Sequence, residues 1–236
     1  MQFTLLIPRR SALADDMEEF FDDEFPPGEQ IPRYLNVTLR AAPGPFGEVV
    51  KMTVNGLPIG NSLTDNARTE MGYRWHDTLH LAHAVCLGWS PVLRSLAGLK
   101  RRSDALADHV EDGGRAIVAD ESIAWAVFCN ARKNNWYGDR SPDLSLLEWV
   151  HEMTYALEVS VRTHDEWQHA IRTGIGCLRS VWLHGGGILL GDLAARSLVF
   201  AGQLKSPAGL RCGRAAGPIS AGNGSPLHRE PDGTAA

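Results

Sequence analysis

The sequence lacks three features that would each place it in a large class of proteins. It has only four cysteines and no CxxC pair, so we expect neither a disulfide framework nor a cysteine-based zinc site. Its formal net charge is −5, so no overall basic field favours nucleic acid or an anionic membrane. It has no apolar run long enough to cross a bilayer, and its short apolar start precedes its charges, unlike a signal peptide. We therefore expect a cytoplasmic protein with no membrane and no nucleic-acid partner.

The pattern of apolar residues predicts helices in the middle of the chain and strands at either end. Alternation over 33–60 predicts a β-hairpin, and 187–200 predicts a closing strand pair. Between them, 68–185 predicts a helical bundle with helices at about 68–98 (broken near GWSP), 114–133, 143–161 and 164–185. The Gly, Pro, Ala and Ser composition of 203–236 predicts a disordered tail. We expect one domain over 1–202, a mainly α bundle of four or five helices with a small β-hairpin and closing-strand appendage (α+β).

One stretch places polar groups inside an otherwise apolar helix. In GYRWHDTLHLAHAVCLGWSP, His76, His80 and His83 are three or four residues apart, so they share a helical face, and Asp77 lies beside it. A helix that is apolar on nearly every other side is normally buried, and its polar groups then need partners. The group is either a metal site or a set of neutral core histidines bonded to backbone carbonyls. The core interpretation suits His83 better than the others.

The next helix carries an acidic residue on an apolar side. In EDGGRAIVADESIAWAVF, Glu121 shares its side of the helix with Trp125 and Phe128. A carboxylate in that position must be paired, protonated or bound to a metal. Asp120 points about 100° away around the helix, and we expect it to be exposed. The predicted metal ligands are therefore His76, Asp77, His80 and Glu121, and Glu121 is also a predicted catalytic residue.

Two further segments can be assigned to the same site. The helix LLEWVHEMTYALEV has an acidic face that includes Glu152, and this face is either solvated or lines a cleft opposite the metal ligands. The basic turn LKRRSD is either an ordinary solvated loop or a phosphate site, because Arg holds phosphate oxygens in a bidentate manner. On the second interpretation, Glu152 is a catalytic residue and Arg101 and Arg102 bind the substrate.

The adjacent pair His76–Asp77 resembles part of the ligand set of the HD-type metal phosphohydrolases. Those proteins are helical bundles whose metal is held by a His, a His-Asp pair and a distant Asp. The pattern requires a histidine upstream of the pair, and His76 is the first histidine in this sequence. An HD-like phosphohydrolase is therefore kept only as a distant alternative.

A second resemblance covers about residues 20 to 200. The motifs FFDDEFPPGEQIPRYLNV, VNGLPIGNSLTDN, GYRWHDTLHLAHAVCLGWSPVLRSL, KRRSD, EDGGRAIVADESIAWAVF and GGILLGDLAARSLVF follow one another in this order. Together they resemble the MazG-like C-terminal domain family, which is associated with MazG-type nucleoside triphosphate pyrophosphohydrolases. The resemblance implies an all-α connection and hydrolysis between the α and β phosphates of a nucleotide. It also implies a divalent metal, with Mg²⁺ or Mn²⁺ favoured over Zn²⁺, and a possible homodimer, because such enzymes commonly build sites between subunits.

The catalytic MazG pattern itself does not stand in this sequence. It consists of an EExxE-like helix followed by an ExxD-like helix, and the segments DES and EWVHE are only loose echoes of it. Two functions are therefore predicted: a metal-dependent nucleoside triphosphate pyrophosphohydrolase, or a non-catalytic regulatory or interaction domain of a MazG-type system.

Overall fold

The computed structural model describes residues 20–45, 47–138 and 140–204. The described strands are β1 (Tyr34–Gly44), β2 (Gly47–Val54), β3 (Leu57–Leu63), β4 (Gly186–Asp192) and β5 (Ser197–Gly202). The described α-helices are α1 (Asp77–Leu87), α2 (Pro91–Ala97), α3 (Ala105–Val110), α4 (Gly114–Lys133), α5 (Leu144–Thr154) and α6 (His164–His184). Short 3₁₀ turns lie at Pro27–Glu29, Tyr73–Trp75 and Glu158–Val161.

The five strands form a single antiparallel sheet in the order β3-β2-β1-β4-β5. The central strand β1 has a partner from each end of the described chain: Val37 lies opposite Val54 of β2 and opposite Leu189 of β4. The helical part of the chain is therefore an insertion between strands of one sheet.

One face of this sheet supports the helices. Leu35, Val37 and Leu39 alternate along β1 and are at most 2% exposed, whereas Tyr34 is 69% exposed, as expected for strands with one buried face. The helices α1 and α6 pack against each other and against β4 and β5, and α2 contacts β3. On α6, Gly174 allows close approach, because a Cβ there would lie 3.1 Å from the Cβ of Ala82. The helix α4 packs against α1, α2 and α6, so the face of α1 that carries the histidines meets α4.

Helix ends follow their local sequence. Thr163 and Glu166 form a reciprocal capping box at the start of α6. The glycines at 88, 98 and 185 end α1, α2 and α6 in the left-handed conformation. The first helix is thereby cut at Gly88, where the GWSP segment turns the chain into α2.

The expected mainly α bundle with a small β appendage is wrong. The structure is an α+β fold in which the described residues form six α-helices and a five-stranded antiparallel sheet. The segment expected to be a hairpin contains three strands, and the closing strands join β1 in the same sheet. Pairing between β1 and β4 links segments far apart in sequence, and no local pattern encodes it.

Within the described residues no helix has both the length and the apolar character needed to span a membrane. Cys86 and Cys177 are buried free thiols, and burial raises the pKa of each to about 12, so both act as small apolar side chains. Cys212, most of the expected tail and the apolar start of the chain lie outside the described residues.

Candidate metal centre

The polar residues His76, Asp77, His80 and His83 form a stripe that begins just before α1 and runs into the interior of the protein. His76 is the N-cap residue of α1 and Asp77 its first residue, and they are 9% and 6% exposed; His80 and His83, further along, are fully buried. Tyr73 fixes the first imidazole in two ways. Its carbonyl lies 2.8 Å from Nδ1 of His76, and its ring stacks on that imidazole with centroids 4.2 Å apart.

Asp120 on α4 is the partner of the buried histidines. Its Oδ1 lies 2.9 Å from Nδ1 of His80 and 2.8 Å from Nδ1 of His83. Its Oδ2 accepts a 2.6 Å hydrogen bond from the Ser90 hydroxyl and a 3.3 Å bond from the Val92 backbone N–H. Asp120 is 0% exposed, so the expectation that it is exposed is wrong. It is the acceptor that the buried stripe requires.

This arrangement fixes which imidazole nitrogen faces the site. Because Asp120 accepts from Nδ1, the Nε2 atom of His80 is directed away from Asp120, and it has no hydrogen-bond partner. Burial by itself lowers the pKa of His80, but the charge and hydrogen bond of Asp120 outweigh it and raise that pKa to about 10. Without a cation, Nε2 of His80 therefore carries a proton at neutral pH. A carboxylate that orients a histidine in this way is the usual support for a metal-ligating imidazole.

Three ligand atoms converge at the mouth of the stripe. His76, His80 and Glu121 each offer one, and these atoms lie within 4.8 Å of one another. The Glu121 carboxylate is 3.6 Å from Nε2 of His80, and its side chain is 46% exposed. The polar interaction with the His80 imidazole is the main cause that lowers the pKa of Glu121. One ligand thus opens to solvent while the two imidazoles are held inside.

Asp77 lies at the edge of this group. Its Oδ1 is 3.9 Å from Nε2 of His76. Burial raises the pKa of Asp77 and lowers the pKa of His76, so burial disfavours the charged form of each. A cation nearby would reverse this effect for Asp77, because positive charge stabilises a carboxylate.

A second group of possible ligands lies deeper and is closed to solvent. His80, His83 and Asp120 also have ligand atoms within 4.8 Å, and all three are fully buried. The ring of His83 packs on Trp167 with centroids 5.4 Å apart. We assign this deeper group to the support of His80, because the donors described above already occupy both Asp120 oxygens.

The predicted substrate-binding residues and the second predicted catalytic carboxylate do not lie with His76, His80 and Glu121. Arg101 is 1% exposed, and its guanidinium binds Asp112 and Glu158, each at 2.8 Å. Two protein carboxylates thus occupy the Arg101 guanidinium that was expected to bind phosphate. This geometry gives no support to a phosphate-binding role for Arg101. Arg102 is exposed on the loop before α3, and Glu152 is exposed on α5, where it lines a different cavity of about 690 Å³.

The residues just described define a class: an α+β domain with a His-and-carboxylate candidate metal centre between α1 and α4. The family model described as MazG C-terminal domain matches residues 16–203. The chain belongs to this family, as its motifs predict. No curated protein matches the chain. No solved structure matches it either.

Proposed function

We propose that the chain is a metal-dependent nucleoside triphosphate pyrophosphohydrolase of the MazG type. The observation that carries the proposal is the convergence of His76, His80 and Glu121, with His80 held in register by a fully buried carboxylate. Family membership supports a MazG connection.

The donor set suits a divalent cation. Two imidazoles and one carboxylate, with Asp77 adjacent, mix the nitrogen ligands preferred by Zn²⁺ and Fe²⁺ with the oxygen ligands preferred by Mg²⁺ and Mn²⁺. Of the two cations expected from the sequence, we favour Mn²⁺, because imidazole is a poor ligand for Mg²⁺. A bound cation would neutralise phosphate charge and lower the pKa of the attacking water.

The chain's own residues have separate tasks in this proposal. Asp120 holds the tautomer and orientation of His80 through Nδ1. Glu121 reaches solvent and has a pKa below its ordinary value, so it is ionised and can both bind the cation and accept a proton from water. His76 is fixed by Tyr73. Glu152, the second expected catalytic carboxylate, remains a prediction to be tested by substitution.

One observation favours the alternative of a non-catalytic regulatory or interaction domain. Because the pKa of His80 is raised to about 10, a proton on its imidazole can balance Asp120 without a metal. The polar stripe would then be a buried network that fixes the packing of α1 on α4. Under that alternative, the exposure of Glu121 has no function.

The first experiment tests the metal. Chelator-stripped protein is titrated calorimetrically with Mn²⁺, Mg²⁺ and Zn²⁺, and Glu121→Gln is compared with Glu148→Gln, a matched change at an exposed glutamate of α5. We expect wild type and Glu148→Gln to bind Mn²⁺ and the Glu121→Gln variant to lose about tenfold or more in affinity, since it lacks one ligand charge. No uptake of any cation would refute the metal centre.

The second experiment tests the reaction. Pyrophosphate release is screened over canonical nucleoside triphosphates with Mn²⁺ or Mg²⁺, and the oligomeric state is measured in parallel to test the expected homodimer. We expect activity that depends on the cation and is lost in Glu121→Gln. Cation binding without hydrolysis of any nucleotide would favour the regulatory alternative.

A further inference from the structure

An exposed aromatic side chain lies one helical turn from the metal centre. Trp125 follows Glu121 by four residues on α4, so the two share a face of the helix. On this side of α4, Trp125 is 46% exposed and Val118 is 61% exposed, and Glu121 is half-exposed. The indole is therefore open to a ligand that reaches Glu121.

The exposed indole is held rigidly. The Tyr73 ring meets it edge-on with centroids 4.9 Å apart and an interplanar angle of 88°, and the buried Phe128 ring lies nearly parallel to it at 6.0 Å. Tyr73 also stacks on His76. One aromatic cluster therefore connects His76, a proposed metal ligand, with the half-exposed indole of Trp125.

The spacing matches a nucleotide. Four residues of α-helix advance about 6 Å, which is comparable to the ribose that separates the α-phosphate of a nucleotide from its base. A phosphate held at His76, His80 and Glu121 would therefore leave the base within reach of Trp125. Aromatic rings accept any base, because every base has a π face.

We propose that Trp125 forms a nucleobase-stacking subsite of the metal centre, so that the site binds nucleotides in preference to other phosphate compounds. This inference rests on the proposed function, because it requires the phosphate to be held at the cation. It assigns Trp125 as a substrate-binding residue and Tyr73 as the residue that positions its ring.

The test compares two ligands that differ by the base. Binding of nucleoside 5′-monophosphates and of ribose 5-phosphate to Mn²⁺-loaded protein is measured by calorimetry. We expect wild type to favour the nucleotides and Trp125→Ala to lose that preference by roughly 5- to 150-fold, the range for removal of one base stack. Trp125→Phe should retain most of it. Trp149→Ala, a change at another partly exposed tryptophan (37%), should leave it unchanged.

The outcomes separate this inference from the proposed function. Mn²⁺ affinity is measured for each variant, and it should not change in Trp125→Ala. Mn²⁺ binding with equal affinity for nucleotide and ribose 5-phosphate in wild type overturns the stacking subsite and leaves the metal centre standing. A preference for nucleotide over ribose 5-phosphate that survives in Trp125→Ala also overturns the stacking subsite and leaves the metal centre standing. If wild type binds no Mn²⁺, the metal centre fails, and the subsite that depends on it is overturned as well.

Discussion

Asp120 is the residue whose change tests the site most directly. In Asp120→Asn the shape of the side chain is kept, but the charge and one acceptor oxygen are lost. The native carboxylate receives four donors: the imidazoles of His80 and His83, the hydroxyl of Ser90 and the backbone N–H of Val92. An amide can accept at one oxygen only, and its NH₂ group must face at least one of these donors.

The expected loss of stability follows from those contacts. The Ser90 hydroxyl can turn and accept from the new NH₂ group, but the Val92 N–H then has no acceptor. A buried donor without a partner costs about 1–3 kcal/mol, and breaking a buried charge pair costs about 3–5 kcal/mol. We expect a decrease of about 3 kcal/mol in the free energy of unfolding at neutral pH. In a domain of this size that lowers Tm by roughly 6–12 °C.

Denaturant unfolding at pH 7 measures this decrease, with Glu148→Gln as the control because surface changes stay within about 0.5 kcal/mol. The variant should also bind Mn²⁺ about 10- to 100-fold more weakly than wild type. This is the loss usually found when a residue that hydrogen-bonds to the second ring nitrogen of a metal-bound histidine is changed. A decrease below about 1 kcal/mol would refute the argument that Asp120 balances the buried stripe. If Asp120→Asn had the stability and the metal affinity of wild type, Asp120 would have no role in the site.

Two other changes follow from packing and charge. Gly174→Ala should lower the free energy of unfolding by about 1 kcal/mol, because the new Cβ would lie 2.9 Å from Leu79 and 3.1 Å from Ala82. Gly176→Ala, where a Cβ would meet nothing within 4 Å, should raise it by about 0.5–1 kcal/mol. The opposite order of stability in denaturant unfolding would contradict the close packing of α1 on α6. For Asp22, burial raises the pKa, but hydrogen bonds and charge from Arg33, Ile31 and Arg94 lower it overall. The contribution of Asp22 is therefore present above the ordinary carboxyl pKa and is lost as the pH falls through the lower, folded-state value. Asp22→Asn should be less stable than wild type at pH 7, and the difference should shrink toward pH 3; a constant difference across pH would contradict this assignment.

Local pattern was sufficient for most of the helices and insufficient for the sheet. The short helix α3 was not expected, and the helix expected from residue 68 begins only at Asp77. The helix expected over 114–133 is α4 (Gly114–Lys133), because its apolar period and its start and stop residues all lie within the segment. The segments that form strands were also recognised, although β3 was expected to be part of a hairpin strand and not a strand of its own. Their assembly was not, because β1 pairs with β4 across the whole helical segment, and the period-2 pattern of β1 does not identify that partner.

The candidate site shows the same division. His76, His80 and Glu121 could be selected from helical spacing, and the structure brings them together. Asp120 was missed because its neighbour Glu121 was taken as the carboxylate on the apolar side of α4. A signal existed: Asp120 is four residues after Ala116 and seven before Val127, and both are fully buried, so the spacing places Asp120 in the inward row of α4. A carboxylate in such a row needs donors, and His80 and His83 of α1 supply two of them.

The position of the stripe argues for a site over a purely structural network. A network that only fixes helix packing is best closed to water, as the group of His80, His83 and Asp120 is. At the outer end the stripe opens: Glu121 is 46% exposed, and its carboxylate is 3.6 Å from Nε2 of His80. The buried half therefore holds His80 in one orientation, with its second nitrogen, which is itself buried, facing the half-exposed Glu121 carboxylate. The packing of α1 on α4 does not require this open carboxylate, and its position supports the proposed metal centre.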